Sequence, residues 1–321
     1  VAVSAFDHFY SYDPGYGYSL DDLLSVPSPQ EARNFSQFWR EKYQKTLLAS
    51  PQLSLNYQCL RAGYRVYEIN YRSTDGYQIG GWLLEPDSQI ITQAIVVGHG
   101  YGGREQPDYH LRIPGAALLF PCFRGISRSR CDRLPEQPNQ HVVHGVDDPE
   151  SYVIGGCVED LWLAVSALID HYPAIADKIG YMGISFGGGI GALAAPWDAR
   201  IKRIHLNVPT FGNQPLRLSL PTSGSAAALR AYSQHHHHVF DTLAYYDAAV
   251  SARYALQPLH AAVALFDPVV APPGQFAIYN AWAAEKILFV LDAGHFDYPR
   301  QFEQERQLID ALQRFFGVTS L

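Results

Sequence analysis

A serine, an aspartate and a histidine stand in an order that suits acyl transfer: Ser185, Asp267 and His295. The serine lies in Gly183-Ile184-Ser185-Phe186-Gly187, after a short apolar run and before a run of small residues with helical character. Such a G-x-S-x-G between strand and helix predicts a sharp, strained turn that lifts the hydroxyl clear of a sheet edge. The helix start behind it offers aligned N–H groups to an anion formed there. A serine hydroxyl becomes a nucleophile only when a base takes its proton and a third group orients that base. Asp267 follows the apolar run 261–266 and opens a loop stiffened by Pro268, Pro272 and Pro273, which would fix its carboxylate. His295 follows the run 287–291, and Gly294 is expected to let the backbone swing the imidazole inward. Asp292 and Asp297 are nearer the histidine in sequence but do not end the penultimate strand, so they are reserve acids only.

Acyl transfer also needs donors for the tetrahedral oxyanion. The backbone N–H of Phe186 is one expected donor. The second is expected in Gly98-His99-Gly100-Tyr101-Gly102-Gly103-Arg104, whose glycines admit close approach of main chain to a ligand, with the Tyr101 N–H as the best placed. The Tyr101 ring is expected to help wall the pocket, with Phe186 and Phe296 beside the substrate. His99 reads as structural.

The elements around these residues predict the fold. Ser28 to Glu31 reads as a capping box opening a helix through Phe35, Phe38, Trp39 and Tyr43. Alternating runs at 65–71 and 77–84 flank Thr74-Asp-Gly76 as an antiparallel hairpin. Continuous apolar runs at 94–97 and 116–120 suit strands covered on both faces. An irregular loop spans 124–150, a helix 151–171, and a strand 201–208. Strand 261–266, helix 274–284, strand 287–291 and helix 300–316 complete the alternation. Residues 210–245 break that rhythm and read as a helical insertion over the site. The sum is an α/β chain with a mostly parallel, doubly wound sheet and an antiparallel start, in which serine, acid and histidine follow the order of an α/β-hydrolase. Residues 1–321 read as one domain, with 1–60 a helical N-terminal extension.

Composition narrows the partners. A formal net charge of −7 argues against nucleic acid and anionic membranes, and no apolar run has the length of a membrane span. Cys59, Cys122, Cys131 and Cys157 show neither zinc-like nor redox spacing, Cys122 and Cys157 reading as buried thiols, so a reducing, cytoplasmic setting is expected. His235–His238 read as a solvated or packing run, because contiguous histidines cannot all face one ion and no acidic or cysteine partner stands at ligand spacing. No metal or cofactor is expected.

Taken in order, these motifs resemble the acetyl xylan esterase/cephalosporin C deacetylase family of carbohydrate esterases. The matching positions run through most of the chain: Phe38-Trp39, Gly81-Trp-Leu-Leu84, His99-Gly-Tyr-Gly-Gly103, Arg124-Gly125, Asp148-Pro149, the Ser185 turn, Val208-Pro209, Asp267 with Pro272-Pro273, Phe276-Ala-x-Tyr-Asn280 and the Gly294-His295 turn. The resemblance implies a metal-free, cytoplasmic serine esterase that removes acetyl groups from sugars and cephalosporins and forms hexamers. By it, Ser185, Asp267 and His295 are the triad, and Tyr101 and Phe186 supply the oxyanion donors. Three positions depart toward lower polarity: Phe186 replaces the family's usual glutamine, Ile126 a glutamine, and Phe296 a glutamate. The expected activity is removal of small acyl groups, acetyl first, from a small-molecule carbohydrate ester. The rivals are a more hydrophobic ester, lactone or amide on the same triad, and a non-catalytic binding protein of this fold.

Overall fold

Short, wholly apolar runs form the middle of a nine-stranded sheet, as expected for strands covered on both sides. The computed structural model describes residues 6–317. Its strands are β1 (Ser54–Arg61), β2 (Tyr64–Arg72), β3 (Gln78–Pro86), β4 (Gln93–Gly98), β5 (Ala116–Pro121), β6 (Ile179–Ile184), β7 (Ile201–Asn207), β8 (Leu259–Ala264) and β9 (Lys286–Leu291). They lie in the order β1-β2-β3-β5-β4-β6-β7-β8-β9. The pairs β1/β2, β2/β3 and β3/β5 are antiparallel and all later pairs parallel, which is the α/β-hydrolase arrangement.

The helices are α1 (Leu20–Leu23), α2 (Phe35–Thr46), α3 (Pro138–His141), α4 (Val153–His171), α5 (Phe186–Ala194), α6 (Gln214–Ser219), α7 (Ser225–Ser233), α8 (Val239–Leu243), α9 (Ala248–Ala252), α10 (Pro272–Ala281) and α11 (Gln301–Gly317). The apolar stripe of α4 buries Val158, Leu161, Trp162, Val165 and Leu168 against α2, α5 and one face of the sheet. On the other face, Leu308, Leu312, Phe315 and Phe316 of α11 pack on Ile95, Val97 and Met182. The sheet is thus sealed from both sides by helices whose apolar periods match the sequence pattern. Among the described residues no helix is long and apolar enough to cross a membrane.

Two local expectations fail. The stretch 28–31 does not cap a helix: α2 starts at Phe35 after Asn34, which makes no side-chain cap bond. Glu31 instead accepts the Tyr254 hydroxyl at 2.9 Å and pairs with Arg253 at 3.4 Å, so its carboxylate is engaged away from its own backbone. The capping box of this region is Ser19 with Asp22, at the start of α1. Second, residues 54–60 are not part of a helical extension but form β1, the sheet's outer strand. The irregular segment 6–18 crosses the loop after β8, where the Asp267 N–H donates to the Pro14 carbonyl at 3.1 Å. The insertion reaches the same loop through its turn before α7, with Ser223 N–H donating to Pro268 O at 2.9 Å.

Candidate active site

The turn between β6 and α5 sets the geometry. Ser185 holds φ 54° and ψ −110°, a sparsely populated backbone state for a residue with a side chain. Its own N–H is tied to Asn207 O at 2.8 Å, and the Gly187 N–H to His99 O at 2.9 Å. A Cβ on Gly187 would lie 2.7 Å from the Gly98 carbonyl carbon and the His99 oxygen, so only glycine lets α5 press on the loop after β4. That contact brings the Tyr101 loop beside the helix start. Neither the Tyr101 nor the Phe186 N–H has a hydrogen-bond partner among the described residues, leaving both free for an anion near Ser185.

The acid and the histidine arrive from the next strands. Asp267 is fully buried just beyond β8; its Oδ1 accepts the Val269 and Val270 N–H groups, each at 2.9 Å. Its Oδ2 accepts Gln275 Nε2 at 2.9 Å and His295 Nδ1–H at 2.8 Å. On the far side of the ring, His295 Nε2 lies 2.9 Å from Ser185 Oγ. With the carboxylate accepting at Nδ1, Nε2 is left as the acceptor for the serine proton. The three groups singled out by their order in sequence are therefore joined by one line of hydrogen bonds. Asp292 takes no part and pairs with Arg300 at 3.2 Å.

Gly294 serves a different purpose from the one expected. The residue with the left-handed backbone is His295 itself, at φ 49°, while Gly294 has no positive φ. A Cβ on Gly294 would lie 2.5 Å from Asp267 Oδ2, so its bare backbone makes room for the carboxylate.

The aromatic expectations need correction. The Phe186 ring is wholly buried, stacked at 4.1 Å on Tyr101 and edge-on to Phe123 at 5.6 Å, so it cannot touch substrate. It follows the nucleophile on α5, whose first turn faces the core. The Tyr101 ring is held inward by the same stack, and its hydroxyl donates to His141 Nδ1 at 2.8 Å. Phe186 therefore offers the site only its backbone, whereas the Tyr101 ring remains partly exposed. Phe296 stays at its edge, half-buried between Phe266 at 4.9 Å and Phe6 at 5.8 Å.

Behind Tyr101 lies support that the chemistry-bearing motifs did not reveal. His141 Nε2–H donates to Arg124 O at 3.0 Å, and burial pushes this imidazole down to about 4, keeping it neutral and able to accept from Tyr101. Arg124 holds the fully buried Asp160 with two nitrogens, Nη2 to Oδ1 at 2.7 Å and Nε to Oδ2 at 3.1 Å. Two charges this deep are tolerated because the fork geometry and added hydrogen bonds offset desolvation. The Arg-Gly pair at 124–125 was the sequence signal for this brace. Gln275 was missed; it had no signal beyond lying two residues past Pro273. His99 is structural as expected: its Nε2 accepts the Phe123 N–H at 3.0 Å, and burial lowers it to about 3.

A model of the acetyl xylan esterase family matches residues 18–313. The chain belongs to that family. As a member it is a carboxylic ester hydrolase acting on acetyl esters. Among solved structures, an acetyl xylan esterase from Paenibacillus sp. R4 is 24% identical, with a TM-score of 0.80 over 92% of this chain and 99% of that one. Acetyl xylan esterase 1 from Thermoanaerobacterium sp. JW/SL YS485 is 19% identical, with the same TM-score and coverage. Pyrococcus horikoshii acylaminoacyl peptidase shares 14% identity at a TM-score of 0.62, over 80% of this chain and 43% of that one. These likenesses show the fold. The family match joins it to ester chemistry.

Two further groups lie away from the triad. The fold supplies the histidine run with the acidic neighbour that sequence spacing did not: His238 Nε2 meets Asp147 Oδ1 at 2.9 Å, and ligand atoms of Asp147, His236 and His238 lie within 4.8 Å of one another. Tyr232 OH also donates to Asp147, so the cluster ties α7 and the turn after it to the loop before α4. Beneath the Ser185 turn, a cavity of about 460 Å³ is lined by Val97, Met182, Ile184, Leu308 and Leu312 and by the polar Arg104, Asp108, His205 and Glu305.

Proposed function

We propose that this esterase works through Ser185, His295 and Asp267 as an acyl-transfer triad and that its acetyl group comes from a carbohydrate. The observation that carries the mechanism is the line from Asp267 Oδ2 through His295 to Ser185 Oγ, at 2.8 and 2.9 Å. Ser185 Oγ attacks the acetyl carbonyl carbon while His295 Nε2 takes its proton. Asp267 stabilises the imidazolium so formed and keeps the ring in the tautomer that accepts at Nε2. The carbonyl oxygen, now an oxyanion, moves into the N–H groups of Tyr101 and Phe186. The C–O bond to the alcohol breaks as His295 returns the proton to that oxygen. Water, deprotonated by the same nitrogen, then releases acetate and restores the serine. The acetyl and sugar preference is supported by the family description and not by the triad, which would serve any small ester.

The apolar part of the cavity beneath the turn, formed by Val97, Met182, Ile184, Leu308 and Leu312, motivates a second reading, in which a longer acyl chain runs from Ser185 past the strand ends into it. Hydrolysis of p-nitrophenyl acetate and octanoate by wild type and Ser185→Ala separates the two. The acetyl reading expects acetate preference and a loss on the order of 10⁴-fold or more in the variant. Octanoate preference would favour the cavity reading, and retained turnover in Ser185→Ala would end the triad mechanism.

A further inference from the structure

The four consecutive histidines are not equivalent once folded. His235, His237 and His238 are exposed, whereas His236 is half-buried. Its ring stacks on Tyr232 at 4.2 Å between centroids, with planes inclined by 14°. The same tyrosine directs its hydroxyl proton at both Asp147 oxygens, 2.9 Å from Oδ1 and 2.7 Å from Oδ2. One side chain thus fixes an imidazole by its face and a carboxylate by its tip. His238 completes the group, its ring crossing that of His236 at 83° and its Nε2 lying 2.9 Å from Asp147 Oδ1.

A surface ion pair accounts for His238 and Asp147 but not for His236, whose ring nitrogens have no hydrogen-bond partner among the described residues. Yet a nitrogen of that ring lies within 4.8 Å of the ligand atoms of the other two. Ligand atoms around a tetrahedral Zn²⁺ stand about 3.4 Å apart, because each bond is about 2.0–2.1 Å long. The widest separation here exceeds that by about 1.4 Å, which rotation of the exposed Asp147 and His238 side chains covers. Two imidazoles and one carboxylate suit zinc and its transition-metal neighbours, whereas magnesium and calcium take oxygen ligands. The exposure of Asp147 and His238 leaves a fourth position to water.

We propose that Asp147, His236 and His238 bind one ion of the Zn²⁺ class as a clasp between the insertion and the loop joining α3 to α4. The ion takes the place of the proton that His238 Nε2 gives to Asp147, and that ring then carries its proton on Nδ1. Tyr232 orients two of the three ligands from outside, as the hydrogen-bonded neighbours of metal ligands do. The clasp joins segments 91 positions apart in sequence, and the loop it grips follows directly on His141, which holds the Tyr101 hydroxyl. It stabilises the fold and supplies no step of ester hydrolysis, so it stands whichever ester the triad takes.

The test titrates ZnCl2 into chelator-treated full-length protein, following binding by calorimetry and Tm by thermal unfolding. Wild type should take up one ion per chain and gain about 4 °C in Tm at a free ion concentration about a hundredfold above Kd, with no such gain in MgCl2. Two variants that retain equal numbers of histidines separate the site from the run. His236→Ala/His238→Ala should weaken zinc binding about 100-fold or more and lose the Tm gain, whereas His235→Ala/His237→Ala should bind as wild type does. Asp147→Asn, which keeps an acceptor for Tyr232, should weaken binding about tenfold or more. Equal p-nitrophenyl acetate turnover by the metal-free forms checks folding, and Asp147→Asn decides the matter should either double variant fail that check. Equal weakening in the two double variants, or an unaffected Asp147→Asn, would mean an adventitious ion only, held by any exposed histidine, and would overturn the clasp. So would an absence of zinc binding by wild type.

Discussion

Replacing Gly294 with alanine isolates one contact inside the site. Gly294 does not need the positive-φ region, so an alanine backbone fits and only the new methyl matters. That methyl would stand 2.5 Å from Asp267 Oδ2 and 2.8 Å from Val208 Cγ1, and ordinary contact begins near 3.4 Å. The carboxylate and the histidine loop must therefore separate by about 0.9 Å. Asp267 has little room to yield, because Val269, Val270 and Gln275 hold it in a fully buried position. The movement falls on His295, whose 2.8 Å bond to the carboxylate is stretched and whose Nε2 is carried away from Ser185. A displacement of this size at a reacting group costs on the order of 100-fold in rate, and the overpacking about 1–3 kcal/mol in stability. Gly294→Ala should thus lower kcat on p-nitrophenyl acetate about 100-fold with little change in KM, in a protein that still folds with a reduced Tm. A folded variant with kcat within about twofold of wild type would refute the argument that Gly294 is there to admit the carboxylate.

Restoring the family's glutamine as Phe186→Gln should not make the site more polar toward sugars. The side chain is enclosed, so it should lower stability by about 1–3 kcal/mol through an unsatisfied amide. Urea unfolding, with KM measured alongside, checks this, and a changed sugar KM at unchanged stability would contradict it. Acid should destabilise the fold above the range where carboxylates titrate. Burial lowers His99 and His205 to about 3 and His141 and His260 to about 4, so unfolding lets each take a proton that the folded state refuses. Their contribution is complete above the unfolded value near 6.5 and is lost as pH falls toward those folded values. At pH 5 the loss is about 2 kcal/mol per histidine. Asp247, raised to about 6 by burial, works in the opposite sense and offsets about 1 kcal/mol of it. Urea midpoints at pH 8 and pH 5 should therefore fall steeply, and equal midpoints would refute the assignment of these histidines as neutral and buried.

The parts that sequence pattern conveyed were those with a single dominant cause. The runs at 94–97 and 116–120 are buried on both faces and could only be inner strands, and the order Ser185, Asp267, His295 places each group at a strand end. β1 escaped because Ser54–Arg61 is exposed along nearly its whole length, so no alternation marks it. The start of α2 was misplaced because Ser28 and Glu31 have a capping pattern, while Glu31 is drawn to Tyr254 and Arg253 from distant sequence. The inward turn of Phe186 and the crowding at Gly294 depend on neighbours far away in the chain: Tyr101 and Phe123 for the first, Asp267 for the second. No local propensity encodes such pairings.

The carbonyl of Pro14 and the hydroxyl of Tyr12 are bound by Asp267 and Pro268, the hydroxyl's partner lying 256 positions further along. A ribosome releases the early segment long before the strand it rests on exists, and contacts so remote in sequence form late in folding. Residues 6–12 must then wait, with their tyrosines and phenylalanines open to water, until β8 has paired with β7. The acid loop is complete only once residues 6–18 have settled on it, which ties the finished site to a contact spanning 256 positions of sequence.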